Sequence, residues 1–182
     1  MKIGIIIGSI REGRQGAAVA EWVLKGAQAH GGATFELVDL KSFDVPLLTS
    51  ATVPGAADKT YDSEQVTRWS EAIDSYDGFI FVTPEYNHGV PGAFKNAFDS
   101  LGNEWLGKTV AFVSYGADGG IRAVEQWRCI VANFQMVDVR AQVALSLFTE
   151  FGKDGFAPQE RRTGELGVLL DQLLRMTSRL AS

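Results

Sequence analysis

Apolar residues fall along the chain in two alternating rhythms. Nearly unbroken runs of β-branched and aromatic residues occupy 3–7 (IGIII), 78–82 (GFIFV) and 110–114 (VAFVS), with further runs at 35–40 (FELVDL) and 137–143. Continuous runs of this length suit strands buried on both faces. Between them, apolar residues recur at helical spacing. Val19, Ala20, Val23, Leu24 and Ala27 share one helical face. So do Val66, Trp69 and Ile73, then Phe94, Ala97, Phe98 and Leu101. Ala123, Trp127, Ile130, Val131 and Phe134 form a fourth stripe, and Leu166, Leu169, Leu170 and Leu173 a fifth. The pattern predicts a β-α unit repeated five times.

That alternation implies an α/β fold with a parallel sheet and helices on both faces. Right-handed crossovers leave few topologies. Five strands suit the flavodoxin-like three-layer sandwich, a five-stranded parallel sheet of order 2-1-3-4-5 whose ligand crevice lies between strands one and three. No internal repeat or composition break divides the 182 residues, so residues 1–182 are expected to form a single domain. Two long loops, 44–60 and 149–158, interrupt the pattern, and long loops in compact domains are often functional.

Charge and cysteine usage narrow the class. Seventeen Lys and Arg against 22 Asp and Glu give a net charge of −5, which argues against a general nucleic-acid binder. The lone Cys129 rules out an intramolecular disulfide and a cysteine-based zinc site, and no metal site is expected. Cys129 is expected to be inert core in the fourth helix. The opening MKIGIIIGSI is too short to span a membrane and lacks a signal-peptide cleavage pattern, so a cytoplasmic protein without membrane insertion is expected.

The loops after strands one, three and four should meet at one sheet edge. The first, Gly8-Ser9-Ile10-Arg11-Glu12-Gly13-Arg14-Gln15-Gly16, leaves a strand and opens a helix. Unpaired amides at a helix N-terminus attract anions, and Ser9, Arg11 and Arg14 add donors suited to a phosphate monoester. A solvated strand-to-helix turn is the plainer alternative. The loop is neither a Walker A nor a GxGxxG motif. The second, Thr83-Pro84-Glu85-Tyr86-Asn87-His88-Gly89-Val90-Pro91-Gly92, sets a ring, an amide and an imidazole beside backbone donors, which suits a flat aromatic ligand. Pro91 fits a first helical position. His88 alone would equally serve as a capping or packing residue. The third, Ser114-Tyr115-Gly116-Ala117-Asp118-Gly119-Gly120, is another glycine-rich turn, in which Asp118 suits a helix N-cap and Tyr115 either covers a ring or is half-exposed. Together the loops offer an anion cradle and a planar slot, which a phosphorylated aromatic cofactor such as FMN would fill.

GSIREGRQG, TPEYNHGVPGAFKNAFD and VSYGADGG resemble the NADPH-dependent FMN reductase family of flavodoxin-like proteins, which includes bacterial quinone, azo-dye and chromate reductases. The resemblance runs from Lys2 to the last helix. It implies non-covalent FMN, with the phosphate held by Ser9, Arg11, Arg14, Gln15 and Gly16. It implies that Pro84, Glu85, Tyr86 and Asn87 line the isoalloxazine with His88 near it, and that Ser114, Tyr115, Gly116, Gly119 and Gly120 approach its other edge. Gly13 and Gly16 stand where relatives often carry serine, so Gln15 and backbone N–H groups would supply that contact. Phe94 stands where relatives often carry leucine, and Asp118 where they often carry glycine.

The resemblance further implies a homodimer or homotetramer with FMN near an interface. Phe94, Phe98 and Trp105 would contribute to such an interface unless they are ordinary core. The expected activity is hydride transfer from NADPH or NADH to bound FMN, then to a small-molecule electron acceptor such as a quinone, an azo compound or free flavin, in ping-pong order. No side chain is nominated as a catalytic acid or base, because the chemistry belongs to the cofactor. Rival readings are an electron carrier without its own NAD(P)H activity and a nucleotide-binding regulatory module. A phosphate-handling enzyme is a third, weakened by the lack of an acidic cluster after the first strand.

Overall fold

The strand-like runs assemble into one sheet in a computed structural model that describes residues 1–181. The strands are β1 (Lys2–Ile7), β2 (Thr34–Asp39), β3 (Gly78–Pro84), β4 (Thr109–Gly116) and β5 (Val137–Ser146). The helices are α1 (Gly16–His30), α2 (Glu64–Asp74), α3 (Gly92–Asp99), α4 (Ile121–Val131) and α5 (Arg161–Leu180). The sheet is parallel throughout and ordered β2-β1-β3-β4-β5, as the sequence predicts.

Two different cores cover the two faces. Ile3, Ile5, Ile7, Ile80, Val82, Ala111 and Val113 pack against Val19 and Val23 of α1 and the leucines of α5. The opposite face carries Ile6, Phe79, Phe81 and Phe112 against Trp69, Phe94, Phe98, Trp105 and Trp127. Alternate residues of β1, β3 and β4 thus enter opposite cores, which is why these strands read as unbroken apolar runs. Phe81 is the hub of the aromatic side, with the rings of Phe94 at 4.8 Å and Trp127 at 5.3 Å. Such tilted and edge-on pairs add roughly 0.5–1.5 kcal/mol each beyond area burial.

The structure corrects several sequence readings. The 149–158 stretch contains a two-stranded hairpin, β6 (Phe151–Gly152) and β7 (Gly155–Phe156), too short to register as periodicity. Its Phe156 packs edge-on against Trp22 of α1. Pro91 is the residue before α3, with φ −62° and ψ 128°, and the helix starts one residue later. Asp118 does not cap α4. Gly120 takes the N-cap position in a left-handed conformation, and Asp118 instead pairs with Arg122 one turn on. Cys129 is exposed and not core, because the buried stripe of α4 runs through Ala123, Val124, Trp127 and Val131 and leaves it on the far side. Phe94, Phe98 and Trp105 are completely buried core residues.

Among the described residues no helix is long and apolar enough to cross a membrane. No group of three or more His, Cys, Asp or Glu gathers there in a metal-binding arrangement.

Candidate functional site

The C-terminal ends of β1, β3 and β4 deliver their loops to one open cleft of about 220 Å³. Ser9, Arg11, Arg14 and Gln15 come from the first loop, Pro84, Glu85 and Tyr86 from the second, and Tyr115 and Gly116 from the end of β4. Larger hollows of about 250 and 510 Å³ lie beside the 46–63 loop and the α3–α4 face, away from this sheet edge and its cationic loop.

The first loop is arranged for an anion. α1 has no side-chain N-cap and no acidic residue in its first turn, so no carboxylate of the helix competes for its leading amides. Among the described residues no carboxylate pairs with Arg11, whose guanidinium sits 5.7 Å from the centre of the Tyr86 ring. Arg14 is differently engaged. Its Nη1 and Nη2 donate to the two oxygens of Asp39 at 2.7 and 2.5 Å, and Nη1 also donates to the Ser9 carbonyl at 2.8 Å. Arg14 therefore straps the loop to the end of β2, with its charge facing Asp39. Glu12, the acidic member of the loop, is bonded to Lys41, which holds its carboxyl below the usual carboxylate range.

Three hydroxyls gather below the loop. Ser9, almost completely buried, lies with its Oγ 2.7 Å from the Tyr86 hydroxyl. The Tyr115 phenol is pushed up in pKa, chiefly by burial and further by the neighbouring Tyr86; Ser9, Arg14 and Arg11 act in the opposite sense. It stays a neutral donor at physiological pH. Its hydroxyl lies where a Cβ on Gly16 would meet it at 2.6 Å, so the absent side chain at Gly16 admits the phenol.

The second loop is moored to α4. The Glu85 carboxylate accepts from the backbone N–H of Arg122 at 3.0 Å and of Ala123 at 3.4 Å, and from the Arg122 guanidinium at 2.8 Å. Glu85 thus supplies the cap that Gly120 and Asp118 do not. Asn87 and His88 form a tight turn with φ of 50° and 66°, closed by paired backbone bonds between Tyr86 and Gly89. Both side chains are exposed and outside the cleft wall. Gln126 spans this turn, donating to the His88 carbonyl at 2.7 Å and accepting from the Val90 N–H at 3.3 Å.

In the third loop, Ser114 is buried and donates to the Gly119 carbonyl at 2.6 Å, so its hydroxyl shapes the turn. Gly120 has φ of 74°, and a Cβ there would meet that of Ser114 at 2.8 Å, which makes glycine obligatory. Gly16, Ser114, Gly119 and Gly120 support the cleft from behind its wall. Leu147, just beyond β5, lines the cleft and was not legible as a site residue. Neither were Asp39, Arg122 and Gln126, whose partners are 25 to 38 residues away in sequence.

A phosphate monoester bearing a flat ring fits this donor set. Open amides, a cation without a carboxylate and a buried serine stand at one end. Pro84 and Gly116 line the rest of the cleft, and Tyr86 reaches from the second loop back to Ser9 and Arg11. The nearby carboxylates of Glu12, Asp39 and Glu85 are each neutralised by a basic partner.

A profile of the NADPH-dependent FMN reductase family matches residues 1–150. The chain belongs to that family. It is 44% identical over 130 residues to NAD(P)H-dependent FMN reductase ntnL of a Nectria species, a match covering 69% of this chain and 64% of that relative's length. It is 30% identical over 164 residues to a quinone reductase of Pseudomonas putida, covering 83% of each. Among solved structures, the flavoenzyme NAD(P)H:(acceptor) oxidoreductase FerB of Paracoccus denitrificans superposes with a TM-score of 0.78, covering 98% of this chain and 97% of that one. At 22% identity this likeness shows a shared fold.

Proposed function

We propose that this protein is an FMN-dependent oxidoreductase that carries reducing equivalents from NADPH or NADH to a small-molecule acceptor such as a quinone, an azo compound or free flavin. The observation that carries this reading is the meeting of α1's uncapped N-terminus with buried Ser9 and with Arg11, which has no carboxylate partner among the described residues, in the cleft that Pro84, Tyr86 and Gly116 complete. The names of the Nectria and Pseudomonas relatives support the donor and the acceptor class.

In this reading Ser9, Arg11, Gln15 and the first amides of α1 hold the phosphate. Arg14 holds the loop that holds it. Pro84, Tyr86, Tyr115 and Gly116 orient the ring, with Leu147 as an apolar wall at its edge. Backbone N–H groups of Asn87 and Gly116 would be available to negative charge developing on a bound ring. FMN, when bound, would supply the hydride-transfer chemistry between nicotinamide and acceptor. Nicotinamide and acceptor use the same open side of the cleft in turn, which gives ping-pong kinetics. We further propose that residues 1–182 act as one domain, as a homodimer or homotetramer in the cytoplasm.

The purified protein should carry, or be reconstituted to, the visible absorption of a bound flavin. That absorption should bleach on anaerobic addition of NADPH or NADH and return when a quinone follows. A preparation that binds no FMN would refute the reading. One that binds FMN but oxidises neither nicotinamide in the presence of a quinone would be an electron carrier.

A further inference from the structure

Resting on the FMN reading above, we propose that Tyr86 is a positioning residue that acts through Ser9 on the cofactor's phosphate, and so makes the site prefer a phosphorylated flavin to an unphosphorylated one. The sequence places Tyr86 beside the ring. The structure directs its hydroxyl onto a residue 77 positions earlier, in the first loop.

A serine hydroxyl has one proton and two acceptor lone pairs. Ser9 Oγ stands 2.7 Å from the Tyr86 hydroxyl, and of the two groups the phenol is the more acidic and the better donor. When Tyr86 donates to Ser9, the serine proton is released for an acceptor in the cleft. Polarisation along such a chain also strengthens the second bond. Ser9 cannot easily turn away, because it is almost completely buried and its own carbonyl is held by Arg14 at 2.8 Å. Backbone and hydroxyl are thus fixed from opposite sides, by Arg14 and by Tyr86. The Tyr86 ring also lies under the Arg11 guanidinium. One tyrosine therefore sets two of the donors that would meet a phosphate, and neither would meet a charged oxygen in riboflavin, which ends in a neutral hydroxyl.

The test is flavin binding by fluorescence titration, with FMN and riboflavin as separate probes. Tyr86→Phe keeps the ring and its contact with Arg11 and removes only the hydroxyl. It should weaken FMN by about three- to tenfold while riboflavin affinity stays within about twofold. Ser9→Ala should weaken FMN at least as much. The double variant should be no weaker than Ser9→Ala alone, because the two groups act as one chain. Equal losses for FMN and riboflavin, an unchanged FMN affinity, or additive losses in the double variant would each overturn the relay. If Ser9→Ala does not fold, the FMN-to-riboflavin ratio of Tyr86→Phe decides alone. Wild-type protein that binds neither flavin would instead overturn the FMN reading itself.

Discussion

At the scale of single residues, the two arginines of the first loop look equivalent in sequence and are not equivalent in space. Arg11 has no carboxylate partner among the described residues, whereas Arg14 is forked onto Asp39. Arg11→Ala should therefore raise the FMN dissociation constant by about tenfold to a hundredfold, the effect of one charge-assisted hydrogen bond, with little change in the urea midpoint. Arg14→Ala should lower the unfolding free energy measured in urea by about 1–3 kcal/mol, because it leaves Asp39 and the Ser9 carbonyl without their partner. An Arg11→Ala protein with unaltered FMN affinity would remove Arg11 from the phosphate site. Ser9 and Arg11 were legible because they sit in one short motif at a predicted strand-to-helix turn. Asp39 was not, since local pattern says nothing about which carboxylate a distant guanidinium meets. Asn87, expected to line the ring, and His88, expected near it, are exposed in a left-handed turn outside the cleft wall.

At the scale of elements, the ring loop and α4 are one unit. α4 starts on Gly120, with no capping side chain of its own and no acid in its first turn. Glu85 supplies both from across the cleft. Glu85→Ala should cost about 1–3 kcal/mol in urea denaturation, the sum expected for a lost cap and a lost pairing with Arg122. The same change should broaden the flavin spectrum, since it frees the loop that orients the ring. If stability falls and the spectrum does not move, Glu85 serves only the helix. The strands and helices themselves were legible in kind and order but not to their ends: the last stripe covers 166–173 and α5 runs Arg161–Leu180, and the last strand runs on to Ser146. Two-sided burial makes β1, β3 and β4 unbroken apolar runs, and one-sided burial gives each helix its stripe. What the pattern hid were pieces shorter than a period, such as the hairpin β6–β7, and contacts made by polar residues such as Gln126.

At the scale of the whole molecule, three of the four tyrosines are packed so that ionisation is disfavoured. Burial leads in each case. Glu104 adds to it at Tyr61 and Glu36 at Tyr76, which is pushed up to about 12. A raised folded pKa means that the native state keeps protons the unfolded chain gives up. Stability from this source is complete below about pH 10 and drains away as pH rises towards and through 12. A spectrophotometric titration near 295 nm should thus show most of the tyrosine change arriving with alkaline unfolding, as followed by far-ultraviolet circular dichroism. Three tyrosines titrating early in a still-folded protein would contradict the packing.

The division of the two cores has a consequence for synthesis. All five strands of the main sheet precede Glu150, as do the helices that cover its aromatic face. The aliphatic face depends on Leu166, Leu169, Leu170 and Leu173 of α5, at roughly 1.5–3 kcal/mol per buried leucine. A nascent chain that has emerged only as far as β5 therefore holds open to water the part of its aliphatic face that α1 does not cover. The ribosome delivers the α5 share of that cover after everything beneath it, and until then the bared apolar strip is a surface for chaperones or for a neighbouring nascent chain.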